Sequence, residues 1–251
     1  MSLDRVRRAY ETLGREDPLW AVLSDDRYRF NRWDTAEFFE TGRREIREVM
    51  ASLARLEVAA PSGTALDFGC GVGRLSQALC EHFNHVIGID ISSTMIEKAD
   101  ALNQHAERCR YVVNVTERLE SIGTSTIDFV YSNITLQHVP PRFQLGYIRE
   151  FLRVLRPGGV AAFQVRTGAS RSGSGFSGRL YALRAELLRP LWKKLRGLPP
   201  VQVHILPERD VRDAIASSGG HLLEVASTDK RERRSRRSLR YTVIKRPAST
   251  S

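Results

Sequence analysis

Cysteine is scarce in this chain: Cys70, Cys80 and Cys109 are the only three in 251 residues. They form no C-x-x-C pair and have no histidine at metal-ligand spacing, which excludes a disulfide framework or a zinc site as the basis of the fold. A reducing compartment is expected. Long apolar runs are missing too. The first residues, MSLDRVRRAYETLGRED, carry a charge every few positions and offer neither a signal peptide nor a membrane span, so the protein is expected to be cytoplasmic. No internal repeat is present, which excludes solenoids and propellers. Nor is there a bias toward disorder: 41% of the residues are hydrophobic and 27% charged, ordinary values for a globular protein. The length suits one large α/β domain able to bury its own core.

Acidic residues are in the minority, and the formal net charge is +10. Two short segments hold the excess. Residues 179–196 place Arg179, Arg184, Arg189, Lys193, Lys194 and Arg196 against Glu186 alone, and residues 229–240 place Lys230 and six arginines against Asp229 and Glu232. Clusters of this kind attract anions, whether a small acidic molecule or nucleic-acid phosphate.

Strand and helix patterns alternate from about residue 64, the mark of a parallel sheet with helices on its faces. Asp34 and Glu37 have the spacing of a capped helix start, and Ile46, Val49, Met50, Leu53 and Leu56 then repeat at helical intervals. Strands are predicted at Thr64–Phe68, His85–Asp90, Tyr111–Val113, Ile127–Ser132 and Val160–Arg166. Helices are predicted from about Gly73 to Phe83, from an N-cap at Ser92 to Gln104, and from Arg142 to Leu155, the last stopped by Pro157-Gly158-Gly159. A Gly/Ser-rich stretch after Thr167 and a basic amphipathic helix near Leu180–Leu195 read as an insertion. A helix after Pro207 and strands near Leu222–Ser227 and Leu239–Lys245 complete the chain.

The most informative stretch is Ala65-Leu66-Asp67-Phe68-Gly69-Cys70-Gly71-Val72-Gly73-Arg74, a strand running into three alternating glycines and then a helix. Glycines there permit a tight bend and let a ligand approach main-chain N–H groups. The next strand, Ile87-Gly88-Ile89-Asp90, ends in a carboxylate placed to accept bonds from ribose hydroxyls. The dinucleotide fingerprint G-x-G-x-x-G is absent, because Arg74 or Ser76 stands where the third glycine would fall. Asp67 also sets a negative charge where a pyrophosphate would be repelled and a cationic amino acid attracted. This favours S-adenosylmethionine over a dinucleotide.

LDFGCGVGRLS followed by IGIDIS resembles the first two motifs of class I S-adenosylmethionine-dependent methyltransferases. Ile127–Ser132 with Leu136-Gln137-His138-Val139 resembles that family's fourth-strand segment, and Leu152–Gly159 the helix and turn before its fifth strand. The resemblance covers about residues 62–166 and is closest in feel to bacterial small-molecule methyltransferases. It implies a Rossmann-like, seven-stranded, mostly parallel sheet flanked by helices, with the last strand antiparallel between strands five and six. The whole chain, 1–251, is then one domain: an N-terminal helical cover over 1–60, a cofactor-binding core over 62–166, an insertion over 167–206, and a C-terminal helix and strand pair over 207–251. By resemblance Asp67, Gly69, Gly71 and Gly73 hold the methionine part of the cofactor, Asp90 the ribose, and Ile91 packs on the adenine. The family usually has an acid near the end of strand three; here Val115 stands at that position and Asn114 is the candidate substitute. Trp20, Trp33, Phe38, Phe39 and Gly42 resemble the segment that covers the cofactor, or else serve only to pack the first helix on the sheet.

Methyl transfer from a sulfonium needs no metal, and no metal site is expected; it needs an acceptor held in line with the methyl group. A hydroxyl or ammonium acceptor must also lose a proton. His138, after strand four, is the candidate base, with a structural loop histidine as the alternative reading; Gln137 is a candidate to orient the acceptor, and His204 is a weaker candidate. The two basic segments are expected at the sheet edge that holds the site, where they either frame an anionic acceptor or form a solvated surface. Three functions stand open: a small-molecule O- or N-methyltransferase, a nucleic-acid methyltransferase, and a non-catalytic scaffold of the same fold. The absence of an Asn-Pro-Pro-Tyr-like tetrapeptide at Ser132-Asn133-Ile134-Thr135 weighs against the second.

Overall fold

The computed structural model describes residues 2–58, 62–168, 201–228 and 237–247. Seven strands form one sheet in the order β3-β2-β1-β4-β5-β7-β6. They are β1 (Thr64–Phe68), β2 (His85–Asp90), β3 (Cys109–Val113), β4 (Ile127–Ser132), β5 (Leu155–Thr167), β6 (Gly220–Ser227) and β7 (Arg237–Lys245). β1 to β5 pair in parallel, and β7 runs antiparallel to both β5 and β6. The expected architecture is met. Strand order reverses between β1 and β4, the place where open α/β sheets form a ligand crevice at the strand carboxyl ends.

The helices are α1 (Leu3–Glu16), α2 (Pro18–Val22), α3 (Thr35–Arg55), α4 (Arg74–Leu79), α5 (Ser93–Ala101), α6 (Pro141–Val154) and α7 (Glu208–Ser217). α3 begins where expected, with Asp34 accepting the Glu37 N–H at 2.8 Å, and Ser92 likewise caps α5 by accepting from Met95. α3 lays Ile46, Val49 and Leu53 on one face of the sheet, against Ala65, Phe129 and Tyr131. Alternate residues of β4 point the other way, and Val130 joins Phe143, Ile148, Phe151 and Leu152 of α6. Burying each such side chain stabilises by about 1.5–3 kcal/mol, against about 0–1 kcal/mol for an exposed ion pair such as Arg47–Glu40. The apolar stripe therefore holds α3. Gly42 lets it approach closely: a Cβ there would lie 2.4 Å from the Arg74 carbonyl oxygen.

Two segments depart from expectation. α4 ends at Leu79 rather than near Phe83. β5 starts at Leu155, directly after α6, and contains Pro157-Gly158-Gly159 instead of following it. Its pairing with β4 jumps from Ile127↔Leu155 to Phe129↔Val160, so the Pro-Gly-Gly sequence, with Gly158 at φ +81°, forms a bulge within the strand. α1 and α2, not anticipated individually, make up the N-terminal cover.

The predicted basic helix near Leu180–Leu195 and most of the arginine run lie outside the described residues. Their flanks are described. Thr167 at the end of β5 pairs with Arg237, and Ser227 at the end of β6 with Leu239. Both segments thus leave from the carboxyl edge of the sheet, where β1 and β4 also end.

Candidate active site

Gly69, Gly71 and Gly73 all have positive φ, at +79°, +54° and +84°, values that side-chain-bearing residues adopt at a cost. The loop they shape differs from expectation in one respect. Four of its five N–H groups are spent within the protein: Gly69 and Cys70 donate to the Ile89 carbonyl at 2.7 and 3.0 Å, and Gly73 to the Cys70 carbonyl at 2.9 Å. Gly71 donates to Asp90 Oδ2, also at 2.9 Å. What the site offers beneath the loop is an acceptor. Asp67, 1% exposed, takes the Ser76 hydroxyl on Oδ2 at 2.7 Å, while Oδ1 is buried with no hydrogen-bond partner. Burial pushes the Asp67 carboxyl up to about 7, against the opposing pull of the Ser76 bond and Arg74. A buried, unpartnered carboxylate oxygen suits a cation; a phosphate would need free donors.

Asp90 closes β2. Its two oxygens accept from Gly71 and, at 2.9 Å, from the Ser92 N–H, which leaves lone pairs for further donors. Burial of the carboxyl group raises its pKa. Ile91 is partly buried and packs against the larger apolar cluster. Asn114 is buried, receives support from the β2 end through a backbone bond to the Asp90 carbonyl, and donates its amide to the Thr116 carbonyl at 3.1 Å. Val115 is 47% exposed beside it.

The cover meets the loop directly. A Cβ on Gly71 would lie 2.4 Å from Val22 Cγ2 of α2. Trp33, Phe38 and Phe39 pack with Val72 and Met95, and Trp20 and Val22 lean on the same cluster, so these aromatics both pack among themselves and roof the glycine loop. Glu11 of α1 accepts from the Ser93 N–H at 2.8 Å and from the Thr94 hydroxyl. Tyr10 lies near enough to Asp90 for that charge, after burial, to raise its phenol pKa, and its ring meets His138 edge-on with centroids 6.0 Å apart.

His138 sits in the single turn Leu136–His138 after β4. Its Nδ1 lies 3.1 Å from the Gln202 carbonyl, which can only accept, so Nδ1 carries the proton; Nε2, 3.1 Å from the Gln137 amide nitrogen, is then the basic atom. The His204 N–H donates to the Gln137 carbonyl at 2.7 Å. The His204 ring Nε2 is buried without a partner, and burial lowers its pKa. The three candidates Gln137, His138 and His204 are therefore neighbours.

Several participants were not singled out from sequence. Glu45 of α3 binds Arg74 at 2.8 Å, the Tyr131 hydroxyl at 2.9 Å and the Asn133 amide at 2.7 Å. A cavity of about 260 Å³ opens at the ends of β4 and β5, lined by Asn133, Ile134, Gln137, Gln164, Arg166, Thr228 and Ser238. Thr135 divides it from the glycine loop: its hydroxyl reaches the Gly69 carbonyl at 3.4 Å. The signal for Arg166 was positional, a charge at the end of an apolar strand; Tyr10 and Glu45 left none, since both act across the fold.

Residues 66–163 match the model of a family described as a methyltransferase domain. Among curated proteins, 2-methyl-6-phytyl-1,4-hydroquinone methyltransferase of Synechocystis is 28% identical over 162 residues, 63% of this chain and 50% of that protein. The chain spans about half the length of the first curated relatives it matches. Among solved structures, magnesium protoporphyrin IX methyltransferase of Synechocystis with bound SAH superposes with a TM-score of 0.63 at 20% identity, covering 98% of this chain and 99% of that one. The [4+2]-cyclase SpnF gives 0.65 at 14% identity, with 98% and 97% covered. These neighbours share the fold.

Proposed function

We propose that this chain, whose residues 66–163 match a methyltransferase-domain family, is a class I enzyme that transfers the methyl group of S-adenosylmethionine to a small-molecule acceptor, at oxygen or nitrogen. The observation that carries this reading is the unpartnered Asp67 Oδ1 beneath a loop in which the Gly69, Cys70, Gly71 and Gly73 N–H groups are engaged within the protein. Such a site fits an amino-acid ammonium. When bound, the cofactor supplies an electrophilic methyl on a sulfonium, which an acceptor displaces in line. Asp67 and the carbonyl side of the Gly69–Gly73 loop hold the methionine end, and Asp90 the ribose hydroxyls. Ile91, Asn114 and Val115 border the adenine, and the cover over Gly71 excludes water. His138 takes the acceptor proton on Nε2 in place of the Gln137 amide hydrogen that Nε2 otherwise accepts, its orientation set by the Nδ1 bond to Gln202. The same reading has the protein cytoplasmic, supported by three buried, free cysteines; no described helix is long and apolar enough to cross a membrane. A nucleic-acid acceptor has no comparable support.

The test is calorimetric titration with S-adenosylmethionine and S-adenosylhomocysteine. Asp90→Ala is expected to weaken both at least about tenfold, or about 1.4 kcal/mol; no binding by the native chain would overturn the cofactor assignment. With an acceptor in hand, His138→Asn is expected to lower kcat by about 10²-fold or more and remove the acidic limb of the pH profile while leaving homocysteine-product affinity unchanged. An unaltered profile would mean that His138 is a structural loop residue.

A further inference from the structure

The cavity at the ends of β4 and β5 has a polar wall, and most of that wall is already committed. Gln164 Oε1 accepts the Ile134 N–H at 2.9 Å and its amide nitrogen donates to the Ser238 hydroxyl. The Asn133 amide nitrogen is held by Glu45, the Gln137 amide by His138, and the Thr228 hydroxyl by the Ser238 carbonyl at 3.1 Å. Arg166 is the exception. It lines the cavity, yet among the described residues no carboxylate pairs with its guanidinium and no side chain or carbonyl takes one of its donors. A partly buried cation in a concave site, with its donors unspent among the described residues, is a receptor for an anion.

We infer that Arg166 is the anchor for a carboxylate on the methyl acceptor, an inference that rests on the function proposed above. Among the described lining groups Arg166 is the one cation, the others being amides, hydroxyls and one isoleucine, and one guanidinium balances one monoanion through a bidentate pair. The volume of about 260 Å³ is below the roughly 300–1,000 Å³ of sites that enclose a drug-sized ligand, so the cavity takes the acidic end of the acceptor, not all of it. Gln137 lies on the cavity wall and touches His138, while Thr135 connects the same segment to Gly69. An acceptor anchored at Arg166 therefore lies beside Gln137, the neighbour of the base, with Thr135 between it and the cofactor loop. The carboxylate is a handle, since both its oxygens are tied by the pair, and the methylated atom lies elsewhere on the molecule.

The test uses the full chain loaded with S-adenosylhomocysteine and follows thermal shift with succinate and benzoate, their amides succinamide and benzamide, and phenyl phosphate. Wild type is expected to be stabilised by at least one acid and not by its amide, with at least tenfold loss of apparent affinity in Arg166→Gln and partial recovery in Arg166→Lys. Product binding should titrate alike in all three proteins. Equal stabilisation of wild type and Arg166→Gln, equal effects of acid and amide, or no effect of any acid would overturn the anchor; preference for phenyl phosphate would overturn the carboxylate class. If S-adenosylhomocysteine itself fails to bind wild type, the methyltransferase reading fails, and the acid–amide comparison on the unloaded chain still decides the role of Arg166.

Discussion

At the scale of single residues, Asp67 joins stability to binding. Its carboxyl is pushed up to about 7 chiefly by burial, from an ordinary value near 4. A raised folded-state value stabilises the fold fully below about pH 4, and that contribution is lost as the pH rises through about 7. Above pH 7 the empty protein holds an ionised, half-partnered carboxylate in its core. Asp67→Asn is therefore expected to raise the melting temperature of the ligand-free protein at pH 8, by an increment worth upwards of about 1 kcal/mol, and to change it little at pH 4. The same substitution should weaken cofactor binding. In the wild type, affinity is expected to fall by up to about tenfold per pH unit below about 7, and to fall again above about 8 as the cofactor's own ammonium deprotonates. Calorimetry across pH 5.5–8.5 checks both limbs. Which charges would matter was legible at this scale only where position framed them: Asp67 leads into the glycine loop, and Asp90 and Arg166 stand at the ends of apolar strands, whereas Tyr10 and Glu45 reach the site across the fold from places where a sequence shows only an ordinary polar residue.

At the scale of elements, β1, β2 and β4 have the boundaries their residues predict, because each is a short apolar run closed by a glycine or a polar stop. β5 does not. Pro157-Gly158-Gly159 reads as a terminator in isolation, and only pairing with β4 turns it into a bulge. α1 was legible in principle: Leu3, Val6, Ala9 and Leu13 are all buried and follow helical spacing. Its docking was not, since that depends on Glu11 meeting the N-terminus of α5, where exposed N–H groups and the helix dipole favour a carboxylate. Burial alone would raise the Glu11 pKa, but the bonds from Thr94 and Ser93 outweigh it and the net shift is downward. The stabilisation is thus present at neutral pH and lost as acid protonates Glu11. Glu11→Gln is expected to speed hydrogen exchange across residues 3–16 and to quicken cofactor release, with little change in the exchange of β1 or β4. Uniform acceleration would mean that α1 belongs to the global unfolding unit.

At the scale of the whole molecule, the strand order determines what the site can be. Reversal between β1 and β4 opens the crevice, and the antiparallel β7 carries Ser238 to the wall that Arg166 and Gln164 share. The cavity is thus assembled from segments more than a hundred residues apart in sequence, which is why a reading along the chain finds the cofactor half of the site and passes over the acceptor half. The central position of β7 has a consequence for synthesis. Within this sheet β7 comes last in chain order, yet it hydrogen-bonds on both sides, to β5 and to β6. Until it leaves the ribosome, β5 is an open edge with Val160 to Val165 buried in the finished fold but unpaired on that side, and β6 has no neighbour at all. Nascent chains stalled before Ser238 therefore present a long apolar edge strand, and they are the form of this protein most in need of a chaperone.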